Sequence, residues 1–88
     1  MSDYSFERRF GVVAVDKGYI TADQLVEAMT IQLREDLDKK EHRLIGRVLQ
    51  DLGYIETFQI KEVLRSMGFP AEFYNSRMQQ SPSTNGIS

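Results

Sequence analysis

The sequence predicts an all-α domain built from two helix-turn-helix repeats. Three observations support this fold class: the chain repeats itself, apolar residues recur at helical spacing in both copies, and a glycine follows the first helical stretch of each copy. A shift of 35 residues aligns eight identical pairs: Gly11 with Gly46, Val13 with Val48, Asp16 with Asp51, Gly18 with Gly53, Tyr19 with Tyr54, Ile20 with Ile55, Gln24 with Gln59 and Glu27 with Glu62.

The first helix is predicted over residues 5–17. Its apolar residues have the spacing of a helix that buries one face, namely Phe6, Phe10, Val13 and Ala14. Gly18 is expected to end it, because a glycine just past a helix can adopt the left-handed conformation that closes the C-terminus.

The second helix is predicted to begin after Thr21 and to be the longest element. Thr21 and Gln24 have the spacing of a capping box, in which each side chain bonds the other residue's backbone amide. The expected apolar stripe of this helix is Leu25, Met29, Leu33 and Leu37.

The second copy predicts helix three over residues 43–52 and helix four over 57–67. Gly53 separates them, and Gly68 with Pro70 ends the repeat. The start of helix four is less sharply specified, because the repeat aligns Glu56 with Thr21 while Thr57 comes one residue later.

The predicted boundaries are a polar N-terminal lead-in over residues 1–5, a helical repeat domain over 6–76 and a C-terminal tail over 77–88. The aromatic residues within 71–76 are expected to pack back on the helices. The tail has too few apolar residues to fold, so we expect it to be disordered.

Residues 34–43 link the two copies and carry charges of both signs. This composition is typical of a solvated helix end, and Glu35 and Lys39 stand at i, i+4 in the order that stabilises a helix. His42 is the only histidine and has no cysteine with which to share a metal, so we expect a solvated side chain.

Composition argues against several classes of function. A net charge of −2 gives no support to sequence-independent binding of a nucleic-acid backbone, so no nucleic-acid partner is expected. The absence of cysteine removes disulfides and thiolate chemistry. There is no calcium loop, phosphate-binding glycine loop or evident nucleophile and base pair, so we expect no enzyme activity, metal or cofactor. We further expect a cytoplasmic protein without a signal peptide or membrane segment.

Gly11 and Gly46 occupy equivalent positions inside predicted helices, where each costs about 1 kcal/mol relative to alanine. Two explanations are open. One is close helix-helix packing between the two copies, and the other is an approach of a ligand to the backbone.

The first copy contains a longer pattern that begins at Arg9 and ends at Gln32. It resembles the cyclic di-GMP-binding motif of the MshEN-type N-terminal domains of type II secretion and type IV pilus assembly ATPases, which carry the motif twice. Arg9, Gly11, Gly18, Leu25 and Gln32 match outright, and Phe10, Ala14 and Met29 are similar in character.

The resemblance implies an arginine that meets guanine, aliphatic side chains that pack on the nucleotide, and backbone close to the phosphodiester. The second copy departs from the motif, with Leu44 at its arginine position and Met67 at its glutamine position. The ligand-binding residues implied by the resemblance are Arg9, Phe10, Gly11, Gly18, Leu25, Met29 and Gln32 in the first copy and Ile45, Gly46, Leu49, Gly53, Ile60 and Leu64 in the second.

Two functions remain open. The first is a non-catalytic receptor or adaptor for cyclic di-GMP. The second is a docking module that kept this fold for contact with a secretion or pilus protein and lost the nucleotide. A helix-turn-helix reader of DNA is a weaker third hypothesis, because the chain has no strongly basic balance.

Overall fold

The computed structural model describes residues 5–70, and within them it shows four α-helices and no strand. They are α1 (Ser5–Asp16), α2 (Ala22–Leu37), α3 (Ile45–Asp51) and α4 (Thr57–Ser66). The predicted all-α fold with four helices is therefore confirmed. The expectations for residues 1–4, for the aromatic residues within 71–76 and for the tail from 77 lie outside the described residues.

All four helices end in the same way. The backbone amide of the third residue after each helix donates to a carbonyl in the last turn of that helix. The second residue after the helix has a positive φ angle. In α1, for example, the Tyr19 amide donates to the Ala14 carbonyl at 3.0 Å, and Gly18 has φ 80°. Gly53 and Gly68 do the same for α3 and α4, as the sequence predicts, whereas Lys39 takes this conformation after α2.

The starts of α2 and α4 follow the repeat. The Thr21 hydroxyl accepts from the Gln24 amide at 3.1 Å, and the Gln24 side chain accepts from the Thr21 amide at 2.9 Å. In the second copy, the Gln59 side chain accepts from the Glu56 amide at 2.9 Å. Glu56, and not Thr57, is therefore the residue that precedes α4, in agreement with the repeat register.

Both copies contribute to one hydrophobic core. Its largest fully buried apolar side chains are contributed by α1, α3 and α4. They are Phe10, Ile45, Val48, Leu49, Ile60, Val63 and Leu64. Because α1 packs on α3 and α4, and α2 also packs on α3, each copy contacts the other through both of its helices.

The predicted stripe on α2 is wrong in its C-terminal half. Leu33 and Leu37 are 51% and 73% exposed, whereas Ala28 and Gln32 are the buried residues of this helix. The polar residue Gln32 faces the core in place of Leu33, because its side chain forms hydrogen bonds there with Glu7 and with the Arg43 carbonyl. None of the helices in residues 5–70 has the length and apolar character needed to cross a bilayer.

Candidate functional site

Arg9, the residue expected to meet guanine, lies on the exposed side of α1. It borders an open cleft of about 640 Å³ between the start of α1 and the end of α4. The described residues that line this cleft are Ser5, Phe6, Arg8, Arg9, Val12, Met67 and Phe69, and we call them the Arg9 cleft.

The walls of the Arg9 cleft are mainly apolar and are tied to the core. The Phe6 ring contacts the Phe69 ring edge-on with centroids 5.6 Å apart, and it contacts Phe10 at 6.3 Å. Val12 is half exposed on the same helix as Arg9. The cleft therefore combines an aromatic and aliphatic surface with a cationic rim.

Gln32, the other polar residue of the motif, lies elsewhere. Its side chain is buried, and its amide nitrogen donates to Glu7 Oε1 at 2.9 Å and to the Arg43 carbonyl at 2.8 Å. Glu7 precedes Arg9 by two residues, which is a rotation of about 200° around a helix. The structure therefore places Arg9 and Gln32 on different sides of α1.

The apolar residues of the expected site form the core. Phe10 and four side chains of the second copy are 0% exposed. Leu25 and Met29 are partly buried and pack against the same core. The four fully buried residues of the second copy are Ile45, Leu49, Ile60 and Leu64.

The glycines of the motif serve packing and turns in the described structure. A Cβ atom on Gly11 would lie 2.8 Å from Leu25 Cδ2 and 3.2 Å from Leu25 Cγ, closer than ordinary carbon contacts. The tight contact is thus between α1 and α2 of the first copy, and not between the copies. Gly46 is buried in α3, while Gly18 and Gly53 are exposed in the turns.

The fold brings motif positions of opposite copies together. Arg9 of the first copy shares its cleft with Met67, which occupies the glutamine position of the second copy. Conversely, Gln32 bonds the carbonyl of Arg43, the residue directly before Leu44 at the second arginine position. Each half of the site would therefore take its two polar residues from different copies.

A buried carboxylate, Glu7, forms a polar centre that the sequence interpretation missed. Glu7 Oε1 accepts from the Ile45 amide at 2.7 Å as well as from Gln32, and α3 has no side-chain cap of its own. A carboxylate at this place satisfies a free amide of the first turn. The available signal was spacing, because Glu7 stands i, i+4 and i, i+7 from Gly11 and Ala14 on the buried face of α1.

His42 contacts the same centre, while the residue itself is exposed, as the sequence suggests. Its Nδ1 lies 2.9 Å from Asp36 Oδ1 and its Nε2 lies 3.4 Å from Glu7 Oε2. Burial lowers the pKa of the imidazole, but the hydrogen bonds to Asp36 and Glu7 outweigh it, so the pKa of His42 is raised. Protonated histidine can donate from both nitrogens at once.

The charged linker is structured in a further way. The Arg43 guanidinium donates to both carboxylate oxygens of Glu35, at 2.6 and 3.1 Å, and to Asp51 at 2.7 Å. Glu35 therefore pairs with Arg43, whereas the sequence suggested Lys39. Because the Arg43 guanidinium binds Glu35 and Asp51, it does not take the role of the arginine that the motif has at position 44.

Residues 5–70 contain no group of histidine and carboxylate side chains arranged to hold a metal ion. Comparisons of the chain with protein-family models, with curated proteins and with solved structures found no match.

Proposed function

We propose that this chain is a non-catalytic docking module, whose sequence motif resembles that of the N-terminal domains of secretion and pilus ATPases and whose ligand is a protein segment. One observation carries the proposal. Gln32, a polar residue of the motif, is buried and bonded to Glu7 and to the Arg43 carbonyl, so it is not available to a nucleotide.

The remaining motif residues support the same interpretation. Most of the motif's apolar positions are filled by core side chains with no exposed surface, such as Phe10 and Leu49. Gly11 is packed against Leu25. Packing alone accounts for these residues, since removing a buried side chain from a small core costs several kcal/mol, typically about 2–5.

Binding of cyclic di-GMP remains a second candidate because of the Arg9 cleft. Arg9 has no ion pair among residues 5–70, and an arginine fork matches the O6 and N7 atoms of guanine. Met67 stands in the same cleft at the position where the family motif has glutamine. Binding of cyclic di-GMP at the Arg9 cleft would use only one of the two half-sites that the double motif implies.

Calorimetric titration with cyclic di-GMP separates the two functions. The docking proposal predicts no binding heat for the wild-type chain and none for Leu44→Arg with Met67→Gln, which restores the motif positions of the second copy. Binding that Arg9→Ala weakens by about 1–3 kcal/mol, while Arg34→Ala leaves it unchanged, would establish the nucleotide function instead. Thermal melts of every variant verify that it is folded.

A direct test uses purified cytoplasmic components of secretion and pilus machines, presented one at a time to the immobilised chain. A docking module should bind one of them with the same affinity in the presence and absence of cyclic di-GMP. Binding that requires the nucleotide would contradict the proposal.

A further inference from the structure

The arginines of residues 5–70 fall into two groups. Arg43, Arg47 and Arg65 each bind a carboxylate at 3.2 Å or less. Arg8, Arg9 and Arg34 have no carboxylate partner within the described range, and of these Arg8 and Arg9 stand next to each other on α1. Two adjacent unpaired guanidinium groups are a local positive charge on a chain whose net charge is −2.

The Arg9 cleft places these two cations at the edge of an apolar surface. Its described lining contains Phe6, Val12, Met67 and Phe69 but no acidic residue. The cleft is open to solvent and has a volume of about 640 Å³. Methionine adapts its shape readily and is common at surfaces that accept protein segments.

From this arrangement we infer that the Arg9 cleft is the docking surface, and that its occupant is an acidic protein segment with a bulky apolar side chain between or beside its carboxylates. The inference rests on the proposed docking function and names the surface and the partner's chemistry. The apolar side chain contacts the aromatic and aliphatic walls, and the carboxylates pair with Arg8 and Arg9. Arginine is suited to this role because its planar fork binds a carboxylate through two parallel hydrogen bonds.

Charge decides between this occupant and others. A second copy of the chain exposes Leu37 beside Asp38 and Phe58 near Glu56, so self-association is tested separately by the oligomeric state of the wild type. A basic or neutral segment would leave both guanidinium groups without partners at the rim. Pairing across a protein interface adds selectivity and speeds association more than it adds affinity, so salt should weaken the complex.

The probe is a peptide. Random 12-residue peptides displayed on phage are selected on the full-length chain, and the consensus peptide is synthesised with a fluorescent label. We expect a consensus with at least two acidic residues near one large apolar residue. Its dissociation constant is then measured by anisotropy at low and physiological salt.

The decisive variant is Arg8→Glu with Arg9→Glu. Because acidic residues suit the N-terminal half of a helix, this change should leave α1 folded. It should weaken binding of the consensus peptide at least about tenfold, and a peptide with lysine in place of each acidic residue should then bind the variant better than it binds the wild type. Arg34→Glu is the matched control, since it makes the same charge change on α2, and it should shift affinity less than about threefold.

The apolar part of the cleft has its own variant. Val12→Asp places a carboxylate in the wall beside the rim arginines, so it should also abolish selection of the acidic consensus. Its far-ultraviolet circular dichroism should match that of the wild type because Val12 is half exposed.

The outcomes separate the two proposals. Selected peptides whose affinity is unchanged by the Arg8 and Arg9 reversals would place docking elsewhere and overturn the cleft, while the docking function stands. Cyclic di-GMP binding that depends on Arg9, with no peptide selected, would overturn the docking function itself. Failure to select any peptide together with no nucleotide binding would overturn both.

Discussion

At the scale of single residues, Lys39 is the exception among the helix ends. It has φ 61° where the equivalent residue of the other three helices is glycine. This conformation destabilises an L-residue by roughly 1–2 kcal/mol, because its Cβ approaches the following carbonyl oxygen. The lysine side chain has no ion pair among residues 5–70 that would offset this cost.

We therefore expect Lys39→Gly to stabilise the fold by about 0.5–1 kcal/mol. The gain is smaller than the relief of strain because glycine also increases the freedom of the unfolded chain. Urea denaturation measures it as a higher midpoint with an unchanged slope. Lys40→Gly is the control, since Lys40 has no positive φ, and it should be neutral or destabilising. A destabilised Lys39→Gly would mean that α2 does not close in this way.

Glu7 is the residue whose removal should be most costly among the charged groups. Its carboxylate accepts from Gln32 Nε2 and from the Ile45 amide, and both donors are buried. Glu7→Ala leaves the Ile45 amide and one N–H group of Gln32 without an acceptor, each at a cost of about 1–3 kcal/mol, so we expect a loss of about 3 kcal/mol.

The matched control is Glu62→Ala, which breaks only the exposed pair with Arg65 at 3.0 Å. Exposed pairs contribute roughly 0–1 kcal/mol, so this variant should unfold almost as the wild type does. Similar losses for the two variants in chemical denaturation would show that Glu7 does not hold the start of α3.

At the scale of elements, His42 links the loop before α3 to α1 through Glu7 and to α2 through Asp36. Its pKa is raised in the folded chain, so the folded state binds the proton more tightly than the unfolded state does. The stabilisation is complete below the unfolded pKa and is lost as the pH rises through the folded value.

The difference in unfolding free energy between wild type and His42→Gln should therefore be larger at pH 5 than at pH 9. Glutamine keeps a hydrogen-bond donor and removes the titration, so the comparison isolates the charge. Urea denaturation across this range gives the difference directly. A difference that is constant with pH, or that grows above pH 7, would contradict the assigned pairing of His42.

The turns and helix starts could be predicted from local sequence, because each depends on residues within a few positions. Gly18, Thr21 and Gln24 act as their spacing indicates. The face of α2 could not be predicted. Leu33 continues the apolar spacing but is exposed, since the buried position is taken by Gln32 through contacts with Glu7, 25 residues away in the chain.

The candidate site was harder to predict than the fold for the same reason. The resemblance groups Arg9 with Gln32, but the distance between these two side chains depends on how α1 packs against α2, α3 and α4. Met67 lines the Arg9 cleft because the end of α4 lies beside the start of α1. Contacts between the two copies cannot be inferred from the sequence of one copy alone.

At the scale of the whole molecule, the two copies depend on each other. The core joins α1, α3 and α4, and α2 buries Gln32 against the start of α3. A single copy would expose these surfaces, and isolated helices shorter than about 12–15 residues are only marginally stable in water. Repeat units of this size generally need a neighbour to bury their apolar faces.

We therefore expect a fragment of residues 1–40 to lose most of its helix content, although it contains the whole of α1 and α2. Far-ultraviolet circular dichroism should show a weak signal that changes gradually with temperature, without a cooperative transition. Mixing it with a fragment of residues 41–88 should restore helicity in a concentration-dependent manner, because the α1–α3, α1–α4 and α2–α3 contacts can then form. The control is Glu7→Ala in the first fragment, which removes the bond to the Ile45 amide and should raise the concentration needed for recovery. A 1–40 fragment that melts cooperatively by itself would show that each copy is an independent domain, and the shared core would then be a contact between two folded units.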